Sequence, residues 1–169
     1  DGKAGVVLPH GTLFRGSTEA KIRQALLEAD LVEGIVGMPS SLFYNTGIPA
    51  SIWVINKSKS EQQKGKVIIV DASLDFKEGK NQNQLLDEHI DKIIEAYDGF
   101  EDVDKYMRVV DLKEIRGNDF NLNISRYIDT SEPEEEVDLK AVRANLLKLE
   151  SEEKAIDAKL EKFLNELGI

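Results

Sequence analysis

Gly5-Val6-Val7-Leu8-Pro9, a short loop, the segment Ser17 to Asp30, and then Leu31-Val32-Glu33-Gly34-Ile35-Val36-Gly37 together decide the fold class. The first run is continuously apolar and bounded by Gly and Pro, the pattern expected of a strand buried on both faces of a parallel sheet. In the middle segment Ser17 or Thr18 can cap a helix with Glu19 in its first turn, and Ile22, Ala25, Leu26 and Ala29 form one apolar stripe that ends near Asp30. The last run reads as a second strand. Strand, helix and strand in this order make a unit whose crossover is right-handed, so the sheet is at least partly parallel and the class is α/β.

Outward from this unit, Met38 to Gly47 is a ten-residue loop rich in Ser, Asn, Gly and Pro that nevertheless carries Leu42, Phe43 and Tyr44. It is short enough for the third strand, Ile48 to Ile55, to return antiparallel to the second. Lys57 to Lys66 is a polar turn, and Val67 to Asp71 a fourth strand. Leu85, Leu86, Ile90, Ile93, Ile94 and Tyr97 mark an amphipathic helix, with His89 solvated or packed within it. Arg108 to Val110 is a short strand, and Asp111 with Glu114 resembles a capping box that opens one helical turn. Phe120 to Tyr127 is irregular but apolar at alternate places.

The domain organisation expected is an α/β part over residues 1–130, an acidic linker over 131–137 and a helical arm over 138–169. Within the arm Leu139, Val142, Leu146, Leu149, Ile156, Leu160, Phe163 and Leu167 recur alternately three and four residues apart, with Glu153 in the omitted slot. That is a heptad seam. A 30-residue helix would be roughly 45 Å long. It either folds back along its own domain or offers the seam, chiefly Leu146, Leu149, Ile156, Leu160, Phe163 and Leu167, to a partner helix.

Composition narrows the chemistry. The 169 residues include 22 basic and 32 acidic side chains, a net charge of -10, and no cysteine, which excludes a thiol nucleophile, a disulfide framework and a thiolate zinc site. His10 and His89 are too few and too far apart for a histidine metal centre, and no metal is expected. Residues 1–60 hold six basic and five acidic side chains, whereas residues 61–169 hold sixteen and 27. Counterion release needs clustered Lys and Arg, so any nucleic-acid contact should come from the first, near-neutral part. No apolar run approaches the roughly 18 residues of a membrane span, and the start has neither a basic n-region nor an apolar h-region. The expectation is a cytoplasmic protein with no membrane contact. The chain opens at Asp1 and enters a strand within five residues, so a piece cut from a longer protein is expected.

There is no G-x-G-x-x-G after a strand, no phosphate loop and no Ser elbow, and no residue is assigned a catalytic role. Read from pattern alone, the chain is an α/β half-domain with a helical arm.

Resemblance adds to this. Val7-Leu8-Pro9-His10-Gly11-Thr12-Leu13-Phe14-Arg15-Gly16, Lys21-Ile22-Arg23, Ile35-Val36-Gly37-Met38-Pro39, Leu42-Phe43, Thr46-Gly47-Ile48-Pro49, Ile52-Trp53-Val54-Ile55 and Asn121-Leu122-Asn123-Ile124-Ser125-Arg126-Tyr127 stand in an order and spacing that resembles the modification subunit of bacterial type I restriction-modification systems. The resemblance spans roughly residues 2–130. It implies a methyltransferase that moves a methyl group from S-adenosylmethionine to the amino group of adenine in DNA. It also implies a Rossmann-like sheet, of which these residues supply the rear strands and the antiparallel terminal pair. The family's Gly-rich cofactor loop and its Asn/Asp-Pro-Pro-Tyr/Phe motif are both lacking: no Gly-rich loop opens a helix after a strand, and Pro9, Pro39, Pro49 and Pro133 are never adjacent. Both are expected upstream, so the parent uses S-adenosylmethionine and this piece binds none.

The resemblance places Phe43 where related enzymes stack a flipped base. Alternatively Phe43 only plugs its loop onto the sheet. Pro9, His10 and Gly11 stand at the carboxyl end of a parallel strand and are candidates to line the cleft, His10 with a loop-structuring role as its alternative. The partners implied are the specificity subunit, the restriction subunit of the same system, and DNA in the assembled complex, with a weak homodimer for the isolated chain. The competing reading of the whole is a non-enzymatic α/β interaction module that acts through its heptad helix.

Overall fold

The computed structural model describes residues 2–131 and 139–167. The elements are β1 (Lys3–Pro9), α1 (Ser17–Glu28), β2 (Val32–Gly37), β3 (Ala50–Asn56), β4 (Lys66–Asp71), α2 (Asp87–Gly99), β5 (Met107–Asp111), α3 (Leu112–Gly117) and α4 (Leu139–Leu167), with short 3-10 turns at His10–Leu13 and Ile124–Arg126. The chain forms two compact units, Asp1–Ser131 and Glu132–Ile169. Most of the acidic linker, residues 132–137, lies outside the described residues, as does residue 138 at the start of the expected arm.

The first unit is a mixed five-stranded sheet in the order β1-β3-β2-β4-β5. β3 runs antiparallel to both β1 and β2, β2 is parallel to β4, and β5 is antiparallel to β4. The return of β3 against β2 follows from the shortness of the loop between them. β1 and β2 are parallel, as the strand-helix-strand pattern requires, but β3 is inserted between them.

That insertion corrects the reading of Gly5–Pro9 as a strand buried on both faces. β1 is the outer strand, paired with β3 alone, and Val6 and Val7 are 41% and 56% exposed. Of its apolar residues only Leu8 packs in part against the core.

Side chains alternate across β4 to feed two cores, as the two-residue period of a strand demands. Val67 and Ile69 join Leu13, Leu27, Ile35, Trp53, Ile115, Leu122 and Tyr127 on one face, under α1, α3 and the segment after α3. Ile68 and Val70 join Val36, Met38, Ala50, Tyr106 and Met107 on the other, under α2. From α2, Ile93, Ala96 and Tyr97 pack on this face, while Ile94 stays half-exposed.

Three local expectations are also corrected. The N-cap of α1 is Gly16, and no side chain caps the helix, so Ser17 and Thr18 do not serve; α1 runs to Glu28 with Ala29 as its C-cap, ending near Asp30 as expected. Asp30 adopts φ 53° beyond the helix, and its carboxylate accepts from Lys59 Nζ (2.6 Å) and the Gly65 N–H (2.9 Å). Asp111 and Glu114 form no capping box, because the Arg108 guanidinium takes both Glu114 oxygens at 3.1 and 3.2 Å, a charge-assisted fork that outcompetes a single backbone N–H. β3 begins at Ala50 instead of Ile48, since Pro49 has no N–H and the Ile48 N–H turns to Thr46 Oγ1 (3.1 Å). His89 is packed: its Nδ1 accepts the Leu86 N–H (3.1 Å) and so caps the start of α2.

At the amino ends of β1 and β2, Glu33 is 2% exposed. Lys3 (2.6 Å), Tyr97 (2.9 Å) and Asn56 all donate to its carboxylate. Burial pushes the Glu33 carboxyl up, but the bonds from Lys3, Asn56 and Tyr97 and the Lys3 charge outweigh it and hold it below its ordinary value. Burial first, and then the bond to Glu33, push the Tyr97 hydroxyl well up.

The second unit is the helix α4, 29 residues long, or about 43 Å at 1.5 Å per residue. Its side chains Leu146, Leu149, Ile156, Leu160, Phe163 and Leu167 are exposed. Among the described residues no helix is long and apolar enough to cross a membrane, and no group of three or more His, Asp or Glu is placed to hold a metal ion.

Candidate functional site

Parallel strands leave their carboxyl ends on one edge of a sheet, and ligands of open α/β folds bind there. Here that edge is fixed by the pairs Pro9↔Ala50, Gly37↔Ser51 and Gly37↔Asp71, which align the ends of β1, β2 and β4 with the start of β3. Three loops leave from it, after β1, β2 and β4.

The loop after β1 is locked into the protein. Leu13 is fully buried, and its carbonyl accepts the Leu122 N–H (2.9 Å). Arg23 of α1, 4% exposed, donates to the carbonyls of Phe120 (2.7 Å), Thr12 (2.8 Å) and Arg15 (3.1 Å). Burial pulls its pKa down against the opposing charge of Glu19. The His10 N–H bonds the Pro49 carbonyl (2.9 Å), and its ring packs edge-on to Phe14 at 6.0 Å.

The loop after β2 is presented instead. Phe43 is 50% exposed and Tyr44 80%. Phe43 stands between two grooves. One, of about 530 Å³, is lined by Val7, Met38, Leu42, Ala50 and Ile52 of the sheet and its loop, together with residues 82–85 from the loop after β4. The other, of about 240 Å³, is lined by Val7, Leu8, Pro9, Thr46, Ile48 and Pro49. The structure therefore brings Phe43 and Pro9 onto one groove, while His10 and Gly11 line neither.

The chain is similar to known proteins over most of its length. The family model for N-6 DNA methylase matches residues 1–136. The chain belongs to the N-6 DNA methylase family. It is 43% identical over 157 residues to the type I restriction enzyme MjaVII methylase subunit of Methanocaldococcus jannaschii, covering 91% of this chain and 27% of that protein. The crystal structure of the type I restriction-modification system methyltransferase subunit from Streptococcus thermophilus superposes with a TM-score of 0.71 at 44% identity, over 76% of this chain and 27% of that one. A solved structure bearing on complex assembly of a type I restriction-modification system shares the fold, with a TM-score of 0.60 at 19% identity over 97% of this chain and 36% of that chain. This methylase-family chain thus spans about a quarter of the curated relative it matches.

Sequence reasoning missed one part of the same edge. Beside the end of β4, Asp75 accepts from the Tyr106 hydroxyl (2.6 Å) and from Lys92 Nζ (2.7 Å), and Lys92 also lies 4.0 Å from the centre of the Tyr106 ring. The three border a cavity of about 600 Å³ with Asp71, Glu95 and Lys105. Burial first, and then the bond to Asp75, push the Tyr106 hydroxyl well above its ordinary range. The three residues belong to a loop, a helix and a loop, and no local spacing announces their meeting.

Proposed function

We propose that the chain is the C-terminal part of the modification subunit of a type I restriction-modification system. As a whole, that cytoplasmic protein transfers a methyl group from S-adenosylmethionine to the exocyclic amino group of adenine in DNA. The observation that carries the reading is the match of residues 1–136 to the N-6 DNA methylase family, joined to relatives that are type I methylase subunits.

The residues present do not compose a cofactor site. Gly11, at the mouth of the loop after β1, offers no free cradle, because the Arg15 side chain occupies it: a Cβ there would lie 2.7 Å from Arg15 Nε. The loops after β2 and β4 contain no Gly-x-Gly. The cofactor site is therefore assigned to the remainder of the longer protein, and the isolated chain should not bind S-adenosylmethionine.

What this chain contributes is a surface for the base. A target adenine must leave the duplex to react, and an aromatic face replaces the stacking it loses. Phe43, half-exposed over two grooves at the ligand-binding edge, is suited to that role. The neighbouring loop is locked by Arg23 and gives the presented loop a fixed wall at Pro9.

The α4 helix is the assembly arm. Leu146, Leu149, Ile156, Leu160, Phe163 and Leu167 would pack against helices of the specificity subunit, with the restriction subunit joining the same assembly. In a symmetric pair Glu153 would meet its own copy, which makes a homodimer weak.

The test is a methyl-transfer assay on the longer protein with its specificity subunit and DNA. Label should enter adenine, and no incorporation contradicts the reading. Replacing Leu160 and Phe163 with Asp should abolish co-purification with the specificity subunit; survival of the complex contradicts the arm's role.

A further inference from the structure

The loop that carries Phe43 rests on unfavourable backbone. Ser41 (φ 56°) and Asn45 (φ 60°) both occupy the left-handed region without being glycine. Such conformations persist only where the surroundings over-determine them. The hydrophobic core does little here, since Phe43 and Tyr44 are exposed and Leu42 is only partly buried.

The restraint comes from the loop between β4 and α2. That segment closes on itself, with Lys77 and Gln84 exchanging backbone bonds of 2.8 and 3.0 Å. Gly79 permits the closure, because a Cβ there would sit 2.1 Å from the Gln82 carbonyl oxygen. The closed loop turns two adjacent amide residues toward the Phe43 loop. Asn83 donates its N–H to the Ser41 carbonyl (2.8 Å) and its Nδ2 to the Ser40 carbonyl (3.0 Å), while Gln82 Nε2 donates to the Leu42 carbonyl. Three successive carbonyls immediately before Phe43 are thus held by two residues some forty positions away. The same two residues line the larger groove beside Phe43.

We propose that Gln82 and Asn83 are positioning residues that fix the backbone of Ser40–Leu42 and, through it, the direction in which Phe43 meets a flipped nucleobase. The inference rests on the stacking role of Phe43 proposed above. Amides suit the task. They donate to carbonyls without placing a charge beside an apolar groove, and a carboxylate in their place would oppose oxygen to oxygen.

The test has two arms. The first is hydrogen exchange on the 169-residue chain carrying Gln82→Ala and Asn83→Ala. The backbone amide of residue 83, which donates to the Ser41 carbonyl across the two loops, should exchange about tenfold faster, from two lost side-chain bonds of ordinary strength, while those of β2 and β3 keep their protection. Asn83→Asp, which keeps the shape and loses the donor, should loosen the loop as much as Asn83→Ala does. Wild-type exchange at the residue 83 amide overturns the proposal.

The second arm is methyl transfer by the longer protein in its complex. The double substitution should lower kcat about tenfold, leave KM for S-adenosylmethionine unchanged, and add no further loss in a Phe43→Ala background. Losses that multiply independently in that background overturn the coupling. If Phe43→Ala alone turns over at the wild-type rate, the stacking reading fails and takes the base-positioning role with it. If Phe43→Ala is impaired while loop exchange is unchanged, only the clamp fails.

Discussion

The loops after β1 and β2 leave the same edge of the same sheet, and their chemistry is opposite. The first sends Leu13 into the core and has two of its carbonyls bound by the buried Arg23. The second sends Phe43 and Tyr44 outward and is held at its backbone by Gln82 and Asn83. A loop tied down by burial contributes stability. One whose tip is tied down at its backbone by hydrogen bonds can keep an aromatic ring free and still aimed, which is what a binding loop on a rigid scaffold needs.

The comparison can be broken by substitution, beginning with the largest effect. Leu13→Ala removes a fully buried side chain and should cost about 2–5 kcal/mol in denaturant unfolding of the chain. Arg23→Met keeps much of the side chain's length while stranding three carbonyls, and a loss of about 2–3 kcal/mol is expected by the same measurement. At the other end of the scale, Phe43→Ala and Tyr44→Ala should each change stability by less than about 0.5 kcal/mol, since both rings are at least half-exposed. A large loss of stability at Phe43 would return it to the role of a plug and remove the contrast between the loops.

Acid sharpens the same contrast from the opposite edge. The folded pKa of Glu33 lies below its ordinary value of 4.5, so its contribution is fully present above that value and is lost as pH falls through the folded pKa. Stability should therefore decline below about pH 4.5, and Glu33→Gln should flatten that part of the stability curve. The exposure of Phe43, read by a quencher between pH 5 and 8, should not move.

Much of this architecture could be read before the structure. The short loop between β2 and β3 dictates their antiparallel return, and the unbroken apolar run Val67–Val70 already implies two covered faces. The order of strands could not be read, because no local pattern shows that β3 inserts beside β1 and leaves that strand at the edge. Asp111 and Glu114 match a capping box in spacing, yet Arg108 offers Glu114 two charged donors in place of one amide. Phe43 was legible as an aromatic in a polar loop. Arg23, Gln82 and Asn83 were not, since a polar residue on a helix or in a loop looks the same whether it faces water or three carbonyls.

The central claim is that Phe43 receives the flipped base, and the most direct measurement is the fluorescence of 2-aminopurine placed at the target adenine, with the longer protein and its specificity subunit. Base stacking is worth roughly 1–3 kcal/mol, so Phe43→Ala should bind DNA normally, change the flipped-base signal and slow methyl transfer about tenfold to a hundredfold. A Phe43→Ala protein with the wild-type signal and the wild-type rate would contradict the account.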